Sequence, residues 1–378
     1  MSFRKRNTVI RAAGSQRDSD KPSSAISHVL MSAGVRPSPL DGRPTTSTGT
    51  ASLDQLLAGH AGLPLASSLL LQENGTSDFS GAVLRYYAAE GLVQGHTIHV
   101  LGTDELLWRR QLPGLAKLST AESSSRISVP PEKMRIAWRY EALGGANKSA
   151  SLPLGYMSAE TFCHSFDMSK HLDAATARGQ VEFTNCTTHA GGVPFGSFLD
   201  RLASVMQKSS PSSIHRVVVP GLLSPALYNS AACQPQNVLQ FLHGLRYLLR
   251  KFSNQATAML TLPLSLYPRS SGLTRWMELL VDGVMELVPL NHRSLVPTGE
   301  ADAKTQGLLR IHSYPVFHEK GGGLQDALFC QDLAFSLSAL DGIVIAPLSL
   351  PPLGSDDTAA KSSSEVLEET AQKKKLEF

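Results

Sequence analysis

The sequence has few cysteines, little net charge and no long apolar run, and each shortage excludes a class of protein. Its four cysteines form no C-x-x-C pair, which argues against a disulfide framework and fits a reducing compartment. A net charge of +3 over 378 residues does not by itself indicate a nucleic-acid binder. No apolar run approaches the ~20 residues of a membrane-spanning helix. The basic N-terminus lacks the apolar core of a secretory signal, so we expect neither secretion nor membrane association.

Apolar residues are nevertheless abundant, at 42% against 18% charged, so the chain can bury a sizeable core in one large or two ordinary domains. The ordered domain is predicted to span residues 45–353. Residues 1–44 are polar and lack periodicity, which indicates a disordered arm. Residues 354–378 are predicted to form a disordered tail, and the Ser- and Pro-rich residues 112–130 a disordered surface insertion.

Within the predicted domain, apolar strand-like runs alternate with helix-like segments. Strands that are apolar throughout are typical of a sheet covered on both faces. The fold class is therefore predicted to be α/β, with a mostly parallel twisted sheet flanked by helices on both faces. The strand-like runs are SSLLLQE, HTIHVLG, FCHSFDMS, IHRVVVPGLLSP, ATAMLTLPLSLY, DGVMELVPL, GLLRIHSYPVF and GIVIAPLSLPPL.

Helix boundaries are predicted from capping residues. Ser52 is a suitable N-cap for a short helix over LDQLLAG. Asp78 is placed to cap a second helix and to favour its positive dipole end. Gly91 and Gly95 are predicted to mark the exit of that helix. Its apolar face is predicted to consist of Phe79, Val83, Leu84, Tyr86 and Tyr87.

The stretch LLLQENGTSDFSGAVLRYYAAEGLVQGHTIHVLG has the layout of a phosphate-binding loop: strand, glycine-bearing turn, helix and second strand. Such a loop of the G-x-x-x-x-G-K-[ST] type needs a lysine for the outer phosphates and a hydroxyl for Mg²⁺. No lysine occurs between Glu73 and Lys117. The candidate site residues are those of the turn: Gly75, Thr76, Ser77 and Asp78.

Two interpretations of this turn stay open. Asp78 would bring negative charge toward a phosphate, and Arg85, nearly two helical turns further on, is not expected to reach back easily. The turn is then a strand–turn–helix corner with an acidic cap. The other interpretation is a corner that retains contact with a nucleotide.

An NTPase also needs a carboxylate at the end of a hydrophobic strand to place Mg²⁺ and the attacking water. The best candidate strand, HRVVV, ends at Pro220 and Gly221 without one. We therefore expect no independent hydrolysis and assign no catalytic residue.

No metal site is predicted. Cys163 and His164 are adjacent, and their spacing to Cys186 and His189 matches no zinc module, so buried thiols and ordinary histidines are the favoured interpretation.

Four basic residues are candidates for RNA contact because guanidinium and ammonium groups bind phosphates. The alternative is that these side chains are simply solvated. The four are Arg85, Arg109, Arg110 and Lys320, the last of them beside the GGG loop at 321–323.

Several sequence segments occur in an order that is typical of a known family. Residues 46–100, TSTGTASLDQLLAGHAGLPLASSLLLQENGTSDFSGAVLRYYAAEGLVQGHTIHV, resemble the opening of the Elongator complex protein four family, also called the PAXNEB family. The S-T-G-x-x-S-L-D-x-L-L opening is similar to that of RecA-like ATPases. The resemblance extends over about residues 45–353, and its later phrases are MRIAWRYE, FCHSFDMSK, GLLRIHSYPVFHEKGGGLQDALFCQDLAFSL and SLPP.

The resemblance implies a RecA-like subunit of a hetero-hexameric ring with Elongator subunits five and six, which joins the catalytic Elongator subcomplex. It implies a supporting role in wobble-uridine (U34) modification of tRNA, with tRNA binding and release by the ring, and a cytoplasmic and also nuclear location. No cofactor is assigned to this chain, and ATP is expected only at ring interfaces. The sequence leaves two other hypotheses open: an active ATPase subunit with a degenerate phosphate loop, and a stand-alone RNA-binding module.

Overall fold

A computed structural model of the chain describes residues 32–116, 161–186, 193–290, 305–315, 333–338 and 342–348. The helices in these ranges are α1 (Ala51–Leu56), α2 (Phe79–Gln94), α3 (Glu105–Arg110), α4 (Pro194–Lys208), α5 (Pro235–Lys251) and α6 (Gly272–Leu280). The strands are β1 (Val35–Pro37), β2 (Pro44–Thr46), β3 (Leu63–Pro64), β4 (Ser68–Glu73), β5 (Thr97–Leu101), β6 (Pro113–Leu115), β7 (Phe166–His171), β8 (Gln180–Thr184), β9 (His215–Val219), β10 (Ala256–Pro263), β11 (Gly283–Pro289), β12 (Gly307–Ser313), β13 (Leu333–Ser338) and β14 (Gly342–Pro347).

A nine-stranded sheet forms the centre of the fold, in the order β14-β13-β12-β11-β4-β10-β9-β5-β8. Six neighbouring strands of this sheet, β11, β4, β10, β9, β5 and β8, run parallel to one another. Beyond β11, the strands β12, β13 and β14 extend the sheet in antiparallel pairs. The α/β prediction with a mostly parallel sheet is confirmed, and the architecture is consistent with a RecA-like fold.

Helices cover both faces of the sheet, as the apolar strands require. Helix α2 packs on one face in a core with Leu69, Ile98 and Met259. Helices α4, α5 and α6 cover the other face, where Phe198, Phe241 and other apolar side chains meet the opposite sides of β9 and β10. Among the described residues, no helix is both long and apolar enough to cross a bilayer.

Helix α2 is more deeply buried than its sequence pattern predicted. An apolar stripe was expected, but every residue of the helix except Phe79 and Arg85 is buried. The reason is that residues preceding α2 in the chain pack against its outer side. Gly34 lies so close to the helix that a Cβ there would stand 2.7 Å from the Gln94 side chain. Small residues and buried polar groups fill this outer side, so the helix has little amphipathic signal.

The predicted arm over residues 1–44 is too long. Strand β1 pairs with β2 from Val35↔Thr46 to Pro37↔Pro44, and Ser38 Oγ lies 2.8 Å from His60 Nδ1. These short strands are held by backbone and polar bonds rather than by a hydrophobic face, so periodicity does not reveal them. Residues 1–31 lie outside the described part of the chain.

The predicted insertion at 112–130 begins too early. Leu112 is buried, and Pro113–Leu115 forms β6, which pairs with β7. The remainder of that insertion from residue 117 onward lies outside the described residues, as does the predicted tail at 354–378.

The capping roles predicted for Ser52 and Gly91 are also wrong. Helix α1 begins after Thr50, and the Ser52 hydroxyl instead bonds the edge strand, donating to Ile343 O at 3.2 Å and accepting from Ile345 N at 3.1 Å. Gly91 lies inside α2, where it leaves room for Arg216. Gly95 ends the helix as predicted, in the left-handed conformation with φ +85°.

Candidate functional site

The predicted phosphate loop is a tight corner between β4 and α2. Strand β4 ends at Glu73, and the exposed residues 74–78 turn the chain into the helix at Phe79. Gly75 has φ +103°, a conformation that favours glycine. The strand–turn–helix arrangement predicted from the sequence is therefore present, with Gly75, Thr76, Ser77 and Asp78 at its tip.

The start of helix α2 already holds an anionic group from the chain itself. Glu73 is 5% exposed. Its Oε1 accepts from Ser77 Oγ at 2.8 Å and from Phe79 N at 3.0 Å, and its Oε2 accepts from Ser80 N at 2.8 Å. The first amides of a helix have no partner within the helix and carry the positive end of its dipole, which is where phosphates bind. The Glu73 carboxylate satisfies two of these amides, Phe79 N and Ser80 N.

Asp78 and Arg85 behave differently from prediction. The Asp78 side chain makes no capping hydrogen bond, because its Oδ2 accepts from Arg85 Nη1 at 2.8 Å. Arg85 therefore does reach back to the turn. It lies seven residues after Asp78, or nearly two helical turns, and its long side chain spans that distance. Gly81 makes room for this pair, because a Cβ there would clash with the Asp78 carboxylate.

A groove of ≈ 460 Å³ runs beside the turn and offers no countercharge to a phosphate. Phe79, close to the position expected for the loop lysine, packs edge-on against Phe335 with ring centroids 4.9 Å apart. The lining residues carry neither a cationic nor an acidic side chain: Asn74, Gly75, Thr76, Ser77, Phe79, Val288, Pro289, Leu290 and Gln306.

The neighbouring strands provide no carboxylate at their ends either. The candidate strand β9 is separated from β4 by β10 and ends at Val219 without a carboxylate, and the strands directly beside β4 are β10 and β11. These two strands end at Pro263 and Pro289. The described corner thus lacks the loop cation, and its strand-end carboxylate, Glu73, is bonded to the start of α2.

The candidate RNA contacts lie partly together. Arg85 Nη1 is 3.5 Å from Gln111 Oε1, which brings Arg85 next to α3. On α3, Arg109 pairs with Glu105 at 2.9 Å and lies 5.4 Å from the centre of the Phe183 ring, and Arg110 is exposed. Lys320 lies outside the described residues.

The described residues contain no group of three or more histidine, cysteine or acidic side chains that could hold a metal ion. Within them, burial raises the pKa of Cys163 and of Cys186 to about 12, which keeps both thiols protonated. His164 bonds Glu90 through Nδ1 at 3.0 Å rather than a cysteine. His189 lies outside the described residues.

A buried arginine fixes α2 behind the corner, and the sequence pattern did not reveal it. Arg216 in β9 is fully buried. Its Nη1 donates to Tyr87 O and to Ser47 O, both at 2.8 Å, and its Nε donates to His96 Nδ1 at 3.0 Å. The signal available in the sequence was a lone arginine inside the apolar run HRVVV.

The family opening S-T-G-x-x-S-L-D folds into a second buried polar cluster next to Arg216. Asp54 accepts from Ser47 Oγ at 2.6 Å and from Thr48 N at 2.8 Å. Burial raises the pKa of Asp54 to about 6, and the hydrogen bonds from Ser47 and Thr48 oppose that shift. Asp54 thus closes the turn before α1, and Arg216 ties that turn to α2.

Comparisons with known proteins agree with the phrases in the sequence. The model of the family described as "PAXNEB protein" matches residues 28–378. Elongator complex protein 4 of Schizosaccharomyces pombe is 30% identical over 358 residues, covering 91% of this chain and 95% of that protein. The proteins of the same name from Saccharomyces cerevisiae and Homo sapiens are 27% and 28% identical, covering 76% and 90% of this chain and 70% and 84% of theirs. The chain therefore belongs to the PAXNEB family.

Proposed function

We propose that this chain is a non-catalytic RecA-like subunit of the Elongator accessory ring. Its named relatives are Elongator complex proteins, and the ring is a hetero-hexamer with Elongator subunits five and six that joins the catalytic subcomplex. In that ring the chain supports wobble-uridine (U34) modification by helping to bind and release tRNA. The proposal places it in the cytoplasm and also in the nucleus.

The observation that carries the non-catalytic role is the position of Glu73. Its carboxylate bonds the amides of Phe79 and Ser80, the groups that a nucleotide phosphate would need. A phosphate would have to displace a buried carboxylate that is tethered to the same turn, and it would meet like charge. The corner is therefore a structural joint, and any ATP in the ring is held at ring interfaces without hydrolysis by this chain.

The absence of countercharge supports the same conclusion. Phosphoryl transfer depends on cations that neutralise developing charge on the phosphates. Among the described residues, the cationic group bonded to the turn is Arg85, and it already pairs with Asp78. The ring is thus proposed to use this chain for shape and for contacts with its neighbours.

Assembly is tested by producing the chain together with subunits five and six and measuring the mass of the product by light scattering. A mixed hexamer is expected, and the failure of any stable mixed assembly would contradict the ring assignment. ATP turnover is then measured for the chain alone and for the ring. No turnover above buffer is expected from the chain, and Ser77→Ala in this chain should leave any ring turnover unchanged.

The tRNA role has its own test. Arg109→Gln with Arg110→Gln in the assembled ring should weaken tRNA binding and reduce its salt dependence, because phosphate contacts release counterions. Arg201→Gln, at an exposed position on α4, is the matched control and should bind like the wild type. Tight tRNA binding by the chain alone would favour a stand-alone RNA-binding module instead.

A further inference from the structure

The outer surface of helices α5 and α6 exposes two aromatic rings close to each other. Tyr247 on α5 is 60% exposed, and Trp276 and Leu279 on α6 are 59% and 68% exposed. The two helices meet at this level, because Arg246 Nη1 donates to Leu279 O at 3.3 Å. Tyr247 directly follows Arg246, and Trp276 lies one turn before Leu279, so these exposed side chains border one surface. We call it the α5–α6 face.

The charge that this face presents is positive. Helix α5 contains no acidic residue, and the acid of α6, Glu278, is 11% exposed and bonds Arg269 through both carboxylate oxygens. Asp282, just beyond α6, is 6% exposed and pairs with Arg250 at 2.7 Å. The carboxylates nearest to the face are thus turned inward and paired. The cations of the two helices are Arg246, Arg250, Lys251 and Arg275.

A cation stands close to each of the two rings. Lys251 Nζ lies 5.9 Å from the centre of the Tyr247 ring, one helical turn further along α5. Arg275 is exposed and directly precedes Trp276, and among the described residues its guanidinium has no ion pair. Both rings therefore have positive charge within one helical turn, and Arg275 is available to a ligand.

Exposed rings next to cations are typical of surfaces that bind single-stranded nucleic acid. Bases stack on the rings, and guanidinium and ammonium groups bind the phosphates. Unpaired bases are needed, because a duplex keeps the faces of its bases stacked on one another. The centre of a protein interface, in contrast, is depleted of charged residues. The pattern of the α5–α6 face therefore favours a nucleic acid over an acidic protein segment.

We propose that the α5–α6 face binds an unpaired stretch of RNA. One base stacks on Trp276 and another on Tyr247, while Arg275 and Lys251 bind phosphates. The inference rests on the proposed function for the choice of RNA as the nucleic acid. It adds a site of its own, because α6 and the basic helix α3 contribute to cores on opposite sides of the sheet.

The first test separates stacking from charge. An oligouridylate of about 12 nucleotides, within the usual size of such sites, is titrated into the full chain. Trp276→Leu should weaken its binding about tenfold, because leucine keeps an apolar contact but offers no ring to a base. Binding of an RNA duplex of equal length should change less than about twofold, because its bases are already stacked.

The control for this substitution is another exposed apolar side chain. Leu40→Ala, in the turn between β1 and β2, should leave the binding of both RNAs unchanged. Relative affinities are compared, because two stacked bases contribute only weak binding to the chain alone. Equal losses for strand and duplex in Trp276→Leu would overturn the inference, and so would an affinity for the strand within about twofold of wild type.

The second test counts phosphate contacts. Arg275→Gln should lower the slope of log binding constant against log salt concentration by about 0.7, the value for one neutralised phosphate on a single strand. Arg201→Gln, whose side chain pairs with Glu182 away from this face, should keep the wild-type slope. Equal slopes for Arg275→Gln and wild type would contradict the phosphate contact.

The third test locates the RNA. A strand that contains 4-thiouridine should crosslink to the segments that carry Tyr247 and Trp276, as identified by mass spectrometry. Crosslinks confined to other segments would overturn the inference, as would a wild-type chain that does not bind the strand or a ring structure with a neighbouring subunit on Trp276. The proposed function fails separately, through a chain that forms no mixed ring with subunits five and six.

Discussion

Glu73 Oε2 lies 2.8 Å from the backbone nitrogen of Ser80, so the last residue of β4 caps the helix that follows it. This contact joins the two ends of the turn, and Thr76, Ser77 and Asp78 between them are exposed. A phosphate-binding loop leaves its helix amides free for a ligand. Here the Glu73 side chain bonds two of these amides, Phe79 N and Ser80 N.

Glu73→Gln is expected to destabilise the chain by about 1–3 kcal/mol. The substitution replaces charge-assisted bonds to Phe79 N and Ser80 N with neutral ones and turns an NH₂ group toward backbone donors. Urea unfolding followed by circular dichroism measures the change. Glu105→Gln, an exposed acid paired with Arg109, is the control and should cost less than about 1 kcal/mol.

The same variant separates two views of the corner. If Glu73 only blocks a competent site, its removal should allow ATP to bind and turn over. We expect no turnover from Glu73→Gln, because the groove beside the turn still lacks a cationic lining residue among those described. ATP hydrolysis by this variant would show that the loss of the lysine is not decisive.

Gly91→Ala is expected to destabilise the fold by about 1–3 kcal/mol, although alanine is the better helix former. A Cβ at Gly91 would stand 2.6 Å from Arg216 Cδ and 2.6 Å from Ile98 Cδ1. Arg216 cannot move aside, because its guanidinium is fixed by bonds to Tyr87 and His96.

Gly196→Ala in α4 is the matched comparison. A Cβ there meets nothing within 4 Å, so only the helix preference remains and the variant should gain about 0.5–1 kcal/mol. Thermal unfolding of both variants gives opposite shifts if packing against Arg216 decides the result. Shifts of the same sign would contradict this explanation.

The sequence predicted the parallel core well because its strands carry a strong signal. HRVVV and ATAMLTLP are rich in apolar residues, and both form buried strands of the central sheet. The corner was also correctly placed, since a glycine turn between an apolar run and a helix is a local pattern. The family phrases added the RecA-like architecture.

What the sequence did not reveal depends on contacts between distant residues. The pairing of Val35 with Thr46 buries polar backbone rather than an apolar face. The role of Ser52 requires Ile343, which lies 291 residues away. The capping by Glu73 cannot be predicted without the conformation of the turn, because a glutamate at the end of a strand could equally well be exposed to solvent. None of these contacts produces a periodic pattern of apolar residues in the sequence.

Ser52→Ala is expected to loosen the edge strand β14 without unfolding the chain. The substitution removes the bond to Ile345 N, an amide on the outer edge of the sheet. Hydrogen exchange at Ile345 should accelerate about fivefold, as expected for one lost hydrogen bond. Ser197→Ala, which removes a bond to Pro194 O inside α4, should leave exchange at Ile345 unchanged, and equal effects of both variants would count against the edge role of Ser52.

Stability is expected to fall in mild acid because of a buried histidine pair. His215 Nδ1 lies 3.1 Å from His99 Nε2, and His215 Nε2 lies 2.9 Å from Ser209 Oγ. Burial lowers the pKa of His215 to about 4, and His99 lowers it further while Glu182 opposes the shift. His215 is therefore neutral in the folded chain at a pH where it is protonated in the unfolded chain.

The sign of the effect follows from proton binding in the two states. Between about pH 4 and 6.5, the ordinary pKa of a histidine, the unfolded chain binds a proton at His215 that the folded chain does not. The free energy of unfolding therefore rises with pH in this window, the contribution is complete above 6.5, and it reaches up to about 3 kcal/mol. Urea unfolding at several pH values measures the slope.

His215→Asn should flatten that slope relative to wild type. Two other groups titrate nearby: burial lowers the pKa of His96 to about 3, which acts in the same direction, and raises that of Asp54 to about 6, which acts in the opposite direction. Both remain in the variant, so the difference between the two curves reports the loss of His215 together with its influence on the pKa of His96 and of Glu182. The control His243→Asn, at an exposed position on α5, should keep the wild-type slope, and parallel curves for His215→Asn and wild type would show that the pair does not titrate as its burial requires.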